Sequence, residues 1–230
     1  MKSSNQNPKR KRTTKNSRWE ANFALLRQAY QSQALPSLNR LTEGGSTPWQ
    51  ILVATILSLR TRDDVTLAAS RRLFALAPDP EAVRQLDQEQ LASTIFPVGF
   101  YRTKAKQILE IAYLLKSRND EVPRHREELL QFPGVGRKTA NLVLNLAFGV
   151  EAICVDTHVH RIPNRLGWIE TQTPEESEAA LESLWPRQHW IEANALLVSF
   201  GQTVCTPIGP RCSICPFREH CFRRGVKTSR

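Results

Sequence analysis

The chain has 230 residues, 40% hydrophobic and 23% charged, enough for one large or two small globular domains with a sizeable core. No apolar run is long enough to cross a bilayer and the first residues hold no apolar signal core, so neither a membrane span nor a secretory leader is expected. A net charge of +10 favours a polyanionic partner, of which nucleic acid is the commonest.

Seven of those ten net charges lie within residues 1–18 (Lys2, Lys9, Arg10, Lys11, Arg12, Lys15, Arg18), which hold no acid. This stretch reads as a disordered basic arm, either a solvated tail or a phosphate-contacting one. The body is only mildly basic. Trp19, Phe23, Leu26 and Tyr30 recur at helical spacing and predict a first amphipathic helix. "WQILVATILSL" (49–59) is apolar all round and predicts a buried helix. Asp79-Pro80 is an N-cap followed by proline at the first helical position. "KAKQILEIAYLLK" (104–116) is amphipathic, and Thr173 to Glu176 has capping-box spacing. "NALLVSFG" (194–201) predicts a helix closed by Gly201. No alternation of period two appears, so the fold class is all-α.

Between "REELLQF" and "RKTANLVLNLAFG" lies Pro133-Gly134-Val135-Gly136, which makes this segment a helix–turn–helix hairpin. Glycines there permit unusual backbone conformations and close approach of a partner. The second helix presents its free N–H groups and positive dipole end outward, which suits a phosphate. On spacing alone, a hairpin that merely turns the chain fits as well. Lys138, Asn141 and Asn145 share one face of that helix, either a solvated stripe or the edge of a site. The dipole opposes a cation at this end, and a neutral amine is a nucleophile. In "VDTHVHR" (155–161), Asp156 reads as an N-cap, and a carboxylate there can also accept a proton or face a developing cation. His158 and His160 point to different helix faces. Pro163 is expected to break or kink this helix.

Four of the five cysteines, Cys205, Cys212, Cys215 and Cys221, follow a C-x6-C-x2-C-x5-C pattern. Spacing alone leaves a zinc site and an iron–sulfur cluster equally open. A disulfide framework does not suit a chain expected to lack a secretion signal. Cys154 stands apart and reads as a small buried apolar residue.

"FPGVGRKTANLVLNLAFG", then "VDTHVHRIPNRLG", then the four cysteines resembles the endonuclease III family of the helix–hairpin–helix DNA glycosylase superfamily, from about Trp19 to Cys221. The resemblance implies two helical domains with a DNA-binding cleft between them. Residues 40–150 would form a helical barrel with the hairpin, and residues 19–39 with 151–230 a cluster domain. It implies a base-excision enzyme acting on double-stranded DNA with damaged bases or abasic sites, a monomer without membrane contact. The cell compartment implied is the nucleoid-bearing cytoplasm, or the nucleus in a eukaryote. Lys138 matches the amine that displaces a damaged base and Asp156 the essential carboxylate. Relatives that only cut the glycosidic bond generally lack the lysine, so the combination implies a glycosylase and AP lyase acting on oxidised pyrimidines. The cysteine spacing is that of the family's [4Fe–4S] cluster. The loop between the first two cysteines, "TPIGPR", carries only Arg211 where the family is richer in basic residues.

A glycosylase extrudes its target nucleotide and fills the gap. By the resemblance, Phe100 in "GFYRTKAK" matches the wedge position, and a phenylalanine that anchors its loop to the core fits as well. Arg60 in "LSLRTRDD" stands where the family often has glutamine, either inserted to face the orphaned base or as a phosphate-contacting or surface arginine. Arginine only donates hydrogen bonds, which favours an orphaned guanine. The DNA-binding set is therefore Arg60, Phe100, Gly134, Val135, Gly136 and His158. Two other readings stay open: a monofunctional adenine or thymine mismatch glycosylase, and a non-catalytic hairpin module.

Overall fold

The computed structural model describes residues 15–31, 38 and 45–230. The basic arm lies outside the described residues as far as residue 14. Residues 15–18 are helical, which corrects the arm's end: α1 spans Lys15–Gln31. Once Trp19, Phe23 and Leu26 fix the helix on the core, an extra polar turn upstream adds hydrogen bonds without needing an apolar face.

Among the described residues every regular element is helical. α2 (Pro48–Ser58) begins in a capping box between Thr47 and Gln50, and Trp49 and Ile51–Leu57 are all buried. α3 (Asp63–Leu76) follows across the short 59–62 loop. α4 (Pro80–Arg84) is capped by Asp79, whose carboxylate accepts the Ala82 N–H at 2.8 Å. α5 (Gln88–Ile95) leads through the turn at 96–100 into α6 (Tyr101–Lys116). α7 (Arg126–Leu129), the turn at 130–136 and α8 (Arg137–Phe148) form the hairpin. α9 (Thr157–Leu166) starts at Asp156, and α10 (Pro174–Leu184) starts from the capping box of Thr173 and Glu176. α11 (Trp190–Thr203) precedes the cysteine-bearing C-terminal loops.

The buried apolar side chains fall into separate clusters. One gathers α2 to α8, with Leu52, Ile56, Leu73, Ile95, Ile108, Ile111 and Val143 at its centre. The other joins α1 to α9, α10 and α11 through Trp19, Phe23, Val159, Ile162, Leu181, Trp185, Phe200 and Phe217. Its aromatics meet edge to face, with Trp19 5.2 Å from Trp168 and Phe200 5.7 Å from Phe217. Quadrupoles favour that arrangement over face-to-face stacking. A small third cluster includes Ala54, Leu142 and Cys154.

Two expectations are corrected. Gly201 does not close a helix; α11 runs through it to Thr203. It is buried, and a Cβ there would fall 2.1 Å from His158 Nδ1, so its small size serves close packing. Pro163 does not break α9. The helix continues past it to Leu166 and ends at Gly167 in the left-handed conformation, with Trp168 N–H donating to Pro163 O at 2.9 Å. Pro163 lacks the N–H that would bond the carbonyl four residues earlier, so it removes one bond from the last turn, which then closes at Gly167.

Candidate active site

Lys138 is the second residue of α8, and the turn before it explains its position. Gly134 takes φ +79°, which a β-carbon resists, and a Cβ there would also meet the Gln107 side chain at 2.6 Å. Gly136 does not use its freedom: it caps α8 at φ −96° with extended backbone. Val135 turns its side chain into the first core, so what the turn can offer a partner is its backbone. No side chain caps α8, and Gly136, Arg137 and Lys138 are exposed there. The first N–H groups of α8 are thus available to an anion.

Asp156 caps α9 with its Oδ1, which accepts the backbone N–H of both His158 and Val159 at 2.8 Å. These bonds fix the carboxylate, leaving Oδ2 for other work. Lys138 and Asp156, on the N-terminal ends of successive helices, line one cleft of about 470 Å3 together with Gly136, Arg137, Val155, Thr157, His160, Pro174, Glu175 and Glu178.

The polar face of α8 sets this spacing. Lys138 is exposed, whereas Asn141 and Asn145 are buried. Asn145 Nδ2 donates to Ala152 O at 2.9 Å and its Oδ1 accepts the Ala152 N–H at 3.1 Å. Asn141 Nδ2 donates to Ile153 O at 2.9 Å. The Cys154 thiol reaches Lys138 O at 3.5 Å, and Asn194 Nδ2 donates to Cys154 O at 3.2 Å. The segment leading to Asp156 is therefore tied to the lysine's helix on one side and to α11 on the other. Cys154 is buried, which pushes its thiol up to about 12, as suits an inert packing residue.

Sequence reasoning missed Glu178. Its carboxylate is 4% exposed and accepts from Arg137 Nη2 at 3.1 Å, Asn141 Nδ2 at 3.1 Å and Arg126 Nη1 at 3.4 Å. It links α10, in the second core, to both helices of the hairpin in the first. The signal in the sequence was slight, one more glutamate in "TPEESEAALES". A buried carboxylate needs paired cations, and only the fold brings them.

His158 and His160 do face apart. His160 Nδ1 lies 2.7 Å from Ser177 Oγ. Arg161 Nη2 donates to His158 Nδ1 at 3.1 Å. Arginine cannot accept, so this imidazole carries its proton on Nε2. Burial lowers the His158 pKa; the Asp156 carboxylate opposes that shift, while Arg161 and Lys138 add to it. The ring is a neutral N–H donor near Asp156.

Arg60 and Phe100 lie at the tips of separate turns, both exposed, with the Arg60 guanidinium 5.7 Å from the Phe100 ring centroid. Neither lines the cleft of Lys138 and Asp156.

Cys205, Cys212, Cys215 and Cys221 carry free thiols and line one pocket, walled by Leu166, Phe200, Val204, Pro210 and Val226. The pocket also holds donors: Arg165 Nη1 is 3.7 Å from Cys205 Sγ, and the Arg223 N–H donates to Cys221 Sγ at 3.3 Å. Burial raises the Cys215 thiol to about 11, with the other three cysteines adding to the rise. Four thiolates in such a pocket repel one another, and metal cations between them reverse that repulsion. By its chemistry, four soft sulfur donors lining one pocket, the set suits a metal–sulfur group, although among the described residues no three donors converge closely enough to hold a metal ion.

Residues 53–187 match the HhH-GPD superfamily of base excision DNA repair proteins. Endonuclease III of Thermotoga maritima is 46% identical over 183 residues, which cover 78% of this chain and 86% of that protein. A solved non-covalent endonuclease III–DNA complex superposes with a TM-score of 0.78 at 34% identity, covering 91% of this chain and 95% of that one. A trapped endonuclease III–DNA covalent intermediate, an estranged-adenine complex, superposes with a TM-score of 0.75 at 32% identity, covering 91% of this chain and 96% of that one. The all-helical architecture, the hairpin and these similarities agree: the chain belongs to the HhH-GPD superfamily of base excision DNA repair proteins.

Proposed function

We propose that this DNA glycosylase removes oxidised pyrimidines from duplex DNA and, as an AP lyase, nicks the strand 3′ to the abasic site, acting as a monomer. The observation that carries this reading is the shared cleft of Lys138 and Asp156, an amine and a fixed carboxylate at two helix N-termini.

The two cores serve as two domains, 40–150 and 19–39 with 151–230. The duplex lies across the cleft between them, with the damaged nucleotide extruded toward Lys138. The N–H groups of Gly134, Gly136 and the start of α8 take the backbone phosphate beside the lesion, while the Val135 N–H is held by Phe132 O at 3.1 Å. His158, neutral and donating through Nε2, adds a further contact. Arg60 and Phe100 enter the gap left by the extruded nucleotide.

Lys138 Nζ attacks C1′ with its lone pair while the bond from C1′ to the base breaks; the base leaves with the bonding pair and takes up a proton. Asp156 faces the positive charge that builds on the sugar and accepts the proton that the amine sheds. Opening of the sugar ring gives an imine between Lys138 and C1′. Removal of a C2′ proton then expels the 3′ phosphate by β-elimination. Water hydrolyses the imine and restores the amine.

Cys205, Cys212, Cys215 and Cys221 would hold a [4Fe–4S] cluster, one thiolate per iron. Bound there, it supplies cross-linking of the C-terminal loops, and none of the steps above draws on it. The separation of its ligands along the chain, with Cys205 at the end of α11 and Cys221 against Arg165 of α9, makes it a brace for the second domain.

The test is a duplex carrying thymine glycol. Wild type should release the modified base and leave a strand break ending in an unsaturated aldehyde, and Lys138→Gln should do neither. Base release without a break would make the protein a monofunctional glycosylase. Binding with no release from any lesion or mismatch would leave a hairpin module.

A further inference from the structure

α2 ends in an unusual way. Its final carbonyls lack intrahelical partners, as in any helix, and here they receive a buried lysine. Lys104, in the second turn of α6, is 4% exposed. Its Nζ donates to Leu57 O at 2.9 Å, to Leu59 O, and to Thr61 Oγ1 at 3.2 Å. An ammonium has three donors, and all three are used. A cation also suits a helix C-terminus. Burial alone pulls Lys104 down to about 8, so it remains mostly charged at neutral pH.

The residues on either side of this lysine are those that carry Arg60 and Phe100. Arg60 has φ 52° and Phe100 has φ 58°, left-handed conformations that side-chain-bearing residues resist and that surrounding structure must impose. The Thr61 hydroxyl that accepts from Lys104 also accepts the Gly99 N–H at 3.2 Å and donates to Leu59 O at 3.2 Å. Gly99 lies so close to the 59–61 loop that a Cβ there would meet Arg60 O at 2.6 Å. The Lys104 backbone N–H donates to Phe100 O at 3.0 Å. The Lys104 ammonium thus holds the 57–61 turn, Thr61 joins that turn to Gly99, and the Lys104 amide makes the first backbone bond of α6, back to Phe100.

We propose that Lys104 is a positioning residue that locks the Arg60 and Phe100 turns into one rigid unit, so that the enzyme's discrimination of the base opposite the lesion depends on it. This rests on the reading above that Arg60 faces the orphaned base. Lys104 touches neither DNA nor the reacting atoms. It acts by fixing where the guanidinium and the ring sit relative to each other, and a guanidinium reads guanine in a bidentate way only when two of its N–H donors are aimed together.

The experiment compares kcat/KM on duplexes carrying one lesion opposite guanine or opposite adenine, in wild type, Arg60→Ala, Lys104→Met and Thr61→Val. Wild type should favour guanine by about tenfold. Arg60→Ala should abolish the preference. Lys104→Met should reduce it at least about fivefold, more than it reduces the rate on the better substrate, and Thr61→Val should reduce it less. Circular dichroism and melting check that each variant folds; if Lys104→Met does not, Thr61→Val and Gly99→Ala decide. A folded Lys104→Met enzyme with the wild-type ratio overturns the proposal. An Arg60→Ala enzyme with the wild-type ratio overturns instead the reading of Arg60 beneath it.

Discussion

The His158 ring occupies the space that a side chain on residue 201 would fill, with Nδ1 2.1 Å from the Cβ position of Gly201 and Cγ at 2.9 Å. Arg161 Nη2 lies 3.0 Å from the same point. A methyl group here cannot be absorbed by a flexible chain end, because the ring is held by Arg161, which in turn donates to Cys205 O at 2.8 Å. Gly201→Ala should therefore cost about 1–3 kcal/mol through overpacking, although it raises helix propensity. Urea unfolding measures the loss. Activity should fall with it, since His158 stands two residues from Asp156.

The proposed function adds a catalytic task to the helix cap that Asp156 makes, and two variants separate them. Asparagine caps helices as well as aspartate does, so Asp156→Asn should unfold within about 0.5 kcal/mol of wild type. It should nonetheless lose at least about 100-fold in kcat, because an amide neither accepts the lysine's proton nor balances a cation. Asp156→Ala should lose the activity and about 1 kcal/mol of stability as well. Denaturation and single-turnover rates on the same preparations check both.

Lys104 gives a pH-dependent signature. Burial lowers its pKa from 10.5 to about 8 in the folded protein. Between those values the unfolded chain holds the proton more often than the folded one, so stability rises with pH across that window and is lost as pH falls through about 8. The full effect is on the order of 3 kcal/mol. Wild type should gain on Lys104→Met by that order between pH 7.5 and pH 10.5, followed by chemical unfolding at each pH. A gap that stays constant would mean that Lys104 does not titrate there.

The proposed cluster predicts its own composition. Protein purified without oxygen should contain iron and acid-labile sulfide in equal amounts, with visible charge-transfer absorption. Cys212→Ser should lose the absorption and lower the melting temperature. Zinc without sulfide would contradict the cluster.

Much of this site was legible in the chain, and the reasons are local. The capping box at Thr173, the Asp79 cap and the Asp156 cap each need only two to four neighbouring residues, so spacing reveals them. The hairpin's position followed from the Pro-Gly-Val-Gly run. What spacing misses is partnership across the fold. Gly201 resembles a helix end until His158 is seen to need its space. Asn141 and Asn145 resemble a solvated stripe until the 152–154 segment covers them. Glu178 and Lys104 resemble surface charges, and only three-dimensional packing supplies the arginines for one and the carbonyls for the other.

The central claim is that Lys138 is the nucleophile. Borohydride reduction during turnover on thymine glycol duplex tests it most directly, because it converts a lysine imine into a stable amine link. Wild type and Asp156→Asn should both be assayed beside Lys138→Ala. The account predicts a covalent protein–DNA species from wild type, mapped by peptide mass to Lys138, a fainter one from Asp156→Asn, and none from Lys138→Ala. An equal yield from Lys138→Ala, or a cross-link mapped to another amine, would contradict it.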